Sequence, residues 1–88
     1  MELEQLRAFI AVAETGSFTR AAEKLYTSHS TVSRAVSALE RELGAVLVER
    51  DNRVLGLTAA GERLLVGAKD LLSREAELKT EILKTVGK

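Results

Sequence analysis

Gly16-Ser17-Phe18-Thr19-Arg20-Ala21-Ala22-Glu23-Lys24-Leu25-Tyr26-Thr27-Ser28-His29-Ser30-Thr31-Val32-Ser33-Arg34-Ala35-Val36-Ser37-Ala38-Leu39 is the stretch that decides the fold. It holds a short helix, a turn and the greater part of a longer helix. Gly16 is the favoured residue just past a helix end. Ser17 then offers a short side-chain oxygen to the orphan amides of a new helix. Phe18, Ala21, Ala22 and Leu25 recur at helical spacing, which predicts a second helix from Phe18 to Leu25 with those residues inward. The adjacent alanines let another helix approach closely at a steep angle. Tyr26 and Thr27 form the turn. Thr27 or Ser28 caps a third helix that runs to Leu43 and ends at Gly44. Its apolar stripe, Val32, Val36, Leu39 and Leu43, falls within an arc of about 60° at helical periodicity. The opposite face carries Ser30, Arg34, Ser37 and Arg41, small hydroxyls and arginines rather than the usual Glu/Lys mixture.

Working outward, Leu3, Leu6, Phe9, Ile10 and Ala13 form one face of a first helix over about Leu3 to Thr15. After Gly44, the run Ala45 to Glu49 contains Val46-Leu47-Val48 and has strand length. Arg50-Asp51-Asn52-Arg53 is a polar turn, and Val54-Leu55-Gly56-Leu57 is a second apolar run. Together they predict a small β-hairpin. Thr58 caps a last helix from Ala59 to about Val86, with Gly67 as its interior break. Such a helix reaches about 40 Å. Leu64, Leu71 and Leu78 lie seven apart on it. Gly61, Ala68 and Ile82 share the adjoining seam, which Glu75 interrupts; Leu65, Leu72 and Val86 widen the stripe. The first turns pack on the body. From Leu71 onward the stripe outruns anything the preceding residues can cover, so Leu71, Leu72, Leu78 and Ile82 are expected to meet a second copy of the chain.

Composition narrows the function. The chain has 88 residues and no cysteine, which removes disulfides, thiolate metal sites and thiol catalysis. A single histidine removes His-rich metal sites. No apolar run approaches the ~20 residues of a membrane span, and the start Met1-Glu2-Leu3-Glu4 is not that of a signal peptide. A cytoplasmic location is expected. Thirteen basic and thirteen acidic residues balance, which by itself argues against a nucleic-acid partner. The distribution argues the other way. Between Thr15 and Ala38 the basic residues Arg20, Lys24 and Arg34 face one acid, Glu23, a local excess of two.

Three short helices, a hairpin and a long helix make an all-α winged helix-turn-helix with a small β-hairpin wing, followed by a long dimerisation helix. Residues 1–57 form the DNA-binding body and 58–88 the linker and dimerisation helix. The third helix can lie in a major groove. Ser30, Thr31, Ser33 and Ser37 permit close approach and bond base edges or phosphates. Arg34 can fork onto a guanine or a phosphate. His29 sits in the first turn, where such contacts concentrate. Ser28 is a cap first and a phosphate contact second. Thr19 and Arg20 begin the helix that crosses the backbone, and Arg50 and Arg53 belong to the wing. The bland alternatives are a solvated polar face, turn charges at Arg50 and Arg53, and surface ion pairs of Arg41 with Glu40 and Glu42; Lys24 is a weaker DNA candidate.

These residues also carry a resemblance. Leu6, Phe9, Ala13-Glu14, Gly16-Ser17-Phe18-Thr19, Ala21-Ala22, Leu25, Ser28, Val32-Ser33, Leu39-Glu40, Leu43-Gly44, Leu47, Arg50, Leu57-Thr58 and Ala60-Gly61 resemble the N-terminal domain of LysR-type transcriptional regulators, in register from about Leu3 to Leu65. The rest of the last helix is similar to that family's linker helix only generically. The resemblance implies a bacterial transcription factor that binds an interrupted dyad as a dimer or tetramer. It implies Arg50 as a structural residue as much as a DNA contact. Most members carry a C-terminal effector-binding domain; these 88 residues look like the DNA-binding domain alone, cut from a longer regulator or naturally short, and no small-molecule effector site and no cofactor are expected in them. The chain departs from the family at two positions: His29, where the family often has Gln followed by Pro or Ser at the place of Ser30, and Val48, where it usually has Phe. The first bears on base preference and the last on packing.

Two competing functions are weighed against DNA binding. One is a winged-helix protein-interaction or dimerisation module that does not itself read DNA. The other is an enzyme, which the sequence does not support: Ser17, Ser28, Ser30 and Ser33 lack a base and an orienting acid across a cleft, since His29 adjoins Ser28 in the chain. No glycine-rich phosphate loop or metal-ligand spacing appears.

Overall fold

Helix α1 spans Leu3–Thr15, α2 Phe18–Lys24, α3 His29–Leu43 and α4 Ala59–Val86, with a two-stranded sheet of β1, Val48–Glu49, and β2, Gly56–Leu57, before the last helix. The computed structural model describes residues 1–50 and 55–87. Of the wing turn, Asp51, Asn52 and Arg53 lie outside the described residues, as do Val54 and Lys88.

Local chemistry sets the helix boundaries. Gly16 takes a left-handed φ of 69° and donates its amide to the Val12 carbonyl, closing α1 as a glycine after a helix does. The Ser17 hydroxyl accepts from the Arg20 amide at 3.1 Å. Between the two candidate caps of α3, the molecule uses Ser28, whose hydroxyl accepts from the Thr31 amide at 3.2 Å. Gly44, with φ of 64°, ends α3. Thr58 Oγ1 accepts from the Gly61 amide at 3.0 Å and donates to the Val46 carbonyl at 2.6 Å. The same hydroxyl thus starts α4 and ties it to the entry of the wing.

The core lies where α1, α2 and α3 meet. Phe9, Leu6, Val12, Val32, Val36 and Leu39 are fully buried, Ala21 and Ala22 sit among them, and Leu47 and Val48 close the wing side. No polar or charged residue is buried among the described residues. Leu43 departs from the expected inward stripe and is 45% exposed. Leu47 and Val48 fill that end of the core, so the stripe effectively stops at Leu39. The expected strand over Ala45 to Glu49 also shrinks to two residues, paired antiparallel as Val48 with Leu57 and Glu49 with Gly56. At its start, the amides of Leu47 and Val48 donate to the Glu40 carboxylate rather than to a partner strand.

Helix α4 docks by its first half only. Gly61 and Ala68 are buried, and Leu64, Leu65 and Leu72 are half-buried. Leu72 shares a crevice with Ile10, Ala11 and Leu25 of the body. Glu75, read as a break in the seam, instead accepts from Arg7 Nη2 at 2.7 Å. Lys69 Nζ lies 2.9 Å from Glu14, and the hydrogen bond it donates holds the Glu14 carboxyl below its ordinary pKa. Beyond Glu75 nothing covers the helix, and Ala76 through Gly87 are all exposed. No helix among the described residues is long and apolar enough to cross a membrane.

Gly61 tests the docking directly. A Cβ built there would overlap the carbonyl oxygen of Leu47, a backbone atom that cannot swing aside. Gly61→Ala is expected to cost about 2–3 kcal/mol of stability, the scale of core overpacking, measured by urea denaturation. An unchanged midpoint would mean that α4 is not seated against the wing in this way.

Candidate nucleic-acid interface

The exposed side of the helix-turn-helix begins at the turn. Six consecutive residues, Tyr26 to Thr31, are exposed. They comprise the turn, the cap Ser28 and the first turn of α3, with His29, Ser30 and Thr31 facing water. Arg34 follows one turn on and is exposed, while Ser33 and Ser37 are half-buried on the flanks. No acidic residue occurs from Lys24 to Leu39. The surface is therefore one of hydroxyls, an imidazole and a guanidinium around a helix N-terminus, where unpaired amides and the helix dipole favour an anion.

Two further elements meet this surface. Thr19 and Arg20 are exposed at the start of α2. The wing enters through Arg50. Its guanidinium lies over the Phe18 ring, 4.9 Å from the centroid. The His29 ring packs on the same phenyl group at 5.7 Å between centroids. One aromatic ring thus holds the first residue of α3 and the last described residue before the wing turn. Arg50 Nη2 also lies 3.8 Å from Glu40 Oε1. Glu40 Oε2 accepts from the amides of Leu47 at 2.8 Å and Val48 at 3.3 Å. Glu40 therefore joins the far end of α3 to the entry of the wing. Guanidinium over aromatic and guanidinium beside carboxylate are both attractive, so Arg50 has a structural role. Arg53 lies outside the described residues.

The cations sort by partner. Lys24 leans on Glu14 at 3.6 Å, toward α1. The alternative of Arg41 ion pairs is not realised among the described residues: Glu40 engages Arg50 at 3.8 Å, and Glu42 takes the N-terminal ammonium of Met1 at 2.9 Å. Among the described residues, Arg20 and Arg34 take part in no ion pair. They remain available to an external anion. An open groove of about 550 Å³ runs between α1 and α3, lined by Glu4, Gln5, Arg7, Thr31 and Arg34 among others. No group of three His, Asp or Glu that could hold a metal ion occurs among the described residues.

Sequence reasoning missed the roles of Glu40 and Phe18 here. Periodicity marks Phe18 as an inward apolar residue, and charge alone marks Glu40 as a surface acid. The partners of Glu40 are backbone amides, which carry no sequence signature. The Leu39-Glu40 pair of the family pattern was the available signal.

A short helix, a tight turn, a longer helix with a polar outer face and a two-stranded wing define a winged helix-turn-helix domain. Residues 3–62 match the family model of the bacterial regulatory helix-turn-helix proteins of the LysR family, and the chain belongs to that family. It is 50% identical over 82 residues to a probable nitrogen assimilation transcriptional activator of Synechococcus elongatus, covering 93% of this chain and 26% of that protein. It is 45% identical over 86 residues to the Hca operon transcriptional activator HcaR of Escherichia coli, covering 98% of this chain and 29% of that protein. The chain thus spans under a third of the length of either relative. Among solved structures it is similar to a BenM DBD/catB site 1 DNA complex, with a TM-score of 0.92, 39% identity and coverage of 96% of this chain and 93% of that one. It is likewise similar to a CbnR DBD–DNA complex, with a TM-score of 0.91, 40% identity and coverage of 98% and 99%. The all-helical winged fold and the family expected from the residues are both borne out.

Glu40 provides the test of the junction. Glu40→Ala leaves the Leu47 and Val48 amides without their acceptor and Arg50 without its carboxylate. The expected loss is about 1.5–3 kcal/mol, the range for hydrogen bonds to a charged group, read from denaturant unfolding. A loss below about 0.5 kcal/mol, the usual bound for a surface substitution, would show the junction to be energetically idle.

Proposed function

We propose that this chain binds double-stranded DNA sequence-specifically, as a homodimer, and regulates transcription in a bacterium. The observation that carries the reading is the surface around the start of α3: exposed His29, Ser30, Thr31 and Arg34 in an acid-free stretch. Two of the similar structures are DNA complexes, which supports the same face as the one that meets DNA. In this reading α3 enters the major groove. Ser30, Thr31, Ser33 and Ser37 approach base edges, Arg34 forks onto a guanine or phosphate, and His29 contacts the site from the first turn. Ser28, Thr19 and Arg20 hold phosphates at the starts of α3 and α2. The wing, with Arg50 and Arg53, grips the flank. The chemistry is binding, not catalysis, and a cytoplasmic location follows from the role.

Residues 1–57 form the body that reads DNA, and 58–88 the helix that pairs two copies. Leu71, Leu78 and Ile82 are each about half exposed on α4, and apolar side chains repeating along an otherwise uncovered helix suit a helical partner. Leu72, half-buried beside them, is the fourth residue proposed for that interface. A two-fold dimer would place two α3 helices about one DNA turn apart or a multiple of it, which fits an interrupted dyad.

Selection of bound fragments from a random duplex pool at low salt tests the DNA reading. A single interrupted dyad is expected. Arg34→Ala should weaken binding to the selected site by about tenfold or more and flatten the dependence of log K on log salt if its contact is a phosphate. Recovery of no enriched sequence by the folded chain would instead favour a winged-helix interaction module that does not read DNA.

Sedimentation equilibrium tests the pairing independently. The wild-type chain is expected to approach twice its 9.6 kDa mass. Leu78→Glu with Ile82→Glu is expected to sediment as a monomer of unchanged helicity. An identical mass distribution for both proteins would remove α4 as the dimer interface.

A further inference from the structure

Tyr26 is the only residue other than glycine with a positive φ among the described residues, at 56°. It is also 96% exposed, more than any other large hydrophobic residue among them. Neither fact is expected of a tyrosine. The left-handed region costs any side chain bearing a Cβ, and bulky residues are true outliers there.

The backbone explains why the position must be left-handed. The Thr27 amide donates to the Ala22 carbonyl at 2.9 Å, and the Tyr26 amide to the Glu23 carbonyl at 3.2 Å. That pair of bonds is the Schellman closure of a helix, whose left-handed residue is usually glycine. At the other two left-handed helix ends of this chain the residue is glycine, Gly16 after α1 and Gly44 after α3. Only at the end of α2 does an aromatic stand in glycine's place. The ring gains almost nothing from packing, being nearly all in water. Its compensation is therefore not within the folded chain.

The location says where it lies. Tyr26 opens the exposed run that leads into α3, two residues before the cap Ser28 and three before His29. No acidic residue occurs in the sequence from Lys24 to Leu39; carboxylates border this run at Glu23, just before it, and at Glu4, across the groove from Thr27 and Arg34. A strained backbone that persists beside a binding surface points to a contact made when the ligand is present. We propose that Tyr26 is a further DNA-contacting residue: its phenol donates to a backbone phosphate flanking the base-reading helix, and its ring lies against the adjoining deoxyribose. This rests on the DNA reading above and adds to it a residue that neither periodicity nor charge singled out.

The strain makes the test sharp, because stability and binding should move in opposite directions. Tyr26→Gly keeps both backbone bonds and relieves the left-handed residue, so its thermal midpoint is expected to rise. Its affinity for the duplex selected by the wild-type chain is expected to fall by about tenfold, the loss of a hydrogen bond to a charged group. Tyr26→Phe keeps the ring and the strain. It should lose several-fold in affinity with no change in midpoint. Since tyrosine carries no charge, the slope of log K against log salt should match wild type in both variants, unlike that of a removed phosphate-binding arginine. Wild-type affinity in Tyr26→Gly would overturn the proposal while leaving the DNA reading intact. Failure of the wild-type chain itself to bind any duplex would overturn both.

Discussion

Ala21 and Ala22 have nothing beyond Cβ, and both are buried between α1 and α3. The close approach of α2 that this permits is the constraint on which the rest of the molecule depends. A larger residue at either position would hold α2 away from Phe9 and Val36, the centre of a core with few residues to spare. Because α2 lies so close, a turn of four residues suffices to launch α3 with its apolar stripe inward. The outer face of α3 is then left in water beside the starts of two helices. The surface offered to a partner is thus a by-product of how tightly the inner surface closes.

The polar side of the structure is organised around one ring and one carboxylate. Phe18 receives His29 from α3 and Arg50 from the wing. Glu40 takes two wing amides and stands beside Arg50. The side chain of Glu40 is mostly covered, and burial of a carboxylate is tolerated only when its oxygens are bonded. Here both are engaged. The wing itself pairs over only two residues on each strand, far too little for an independent hairpin. Its position therefore comes from Glu40, from Thr58 and from the packing of Leu47 and Val48. This couples the wing to α3, so that two elements which would meet the same duplex keep a fixed separation.

Much of this was legible before any coordinate. The helix boundaries followed from caps and glycines, because hydrogen bonds that begin and end helices are made by neighbours in sequence. The outer face of α3 followed from its periodicity. The misreadings share a different cause. Leu43 continues the apolar stripe of α3 but ends up exposed, because Leu47 and Val48, from another element, occupy that end of the core. Glu75 interrupts a leucine seam on paper and in space is met by Arg7, sixty-eight residues away.

Neighbouring residues alone set the order of the elements, the ends of the helices, the family, the polar character of the α3 face and the excess of apolar surface on α4. Each rests on interactions within a few residues, where side-chain identity and helical period are enough. Packing of distant residues settled the rest: which half of α4 is free, that Arg50 is held by Phe18 and Glu40, and that Tyr26 occupies a backbone position suited to glycine. Those depend on the angles at which helices cross and on backbone amides finding side chains from distant positions. A linear pattern carries neither, because packing sets them only when all the elements close on one core.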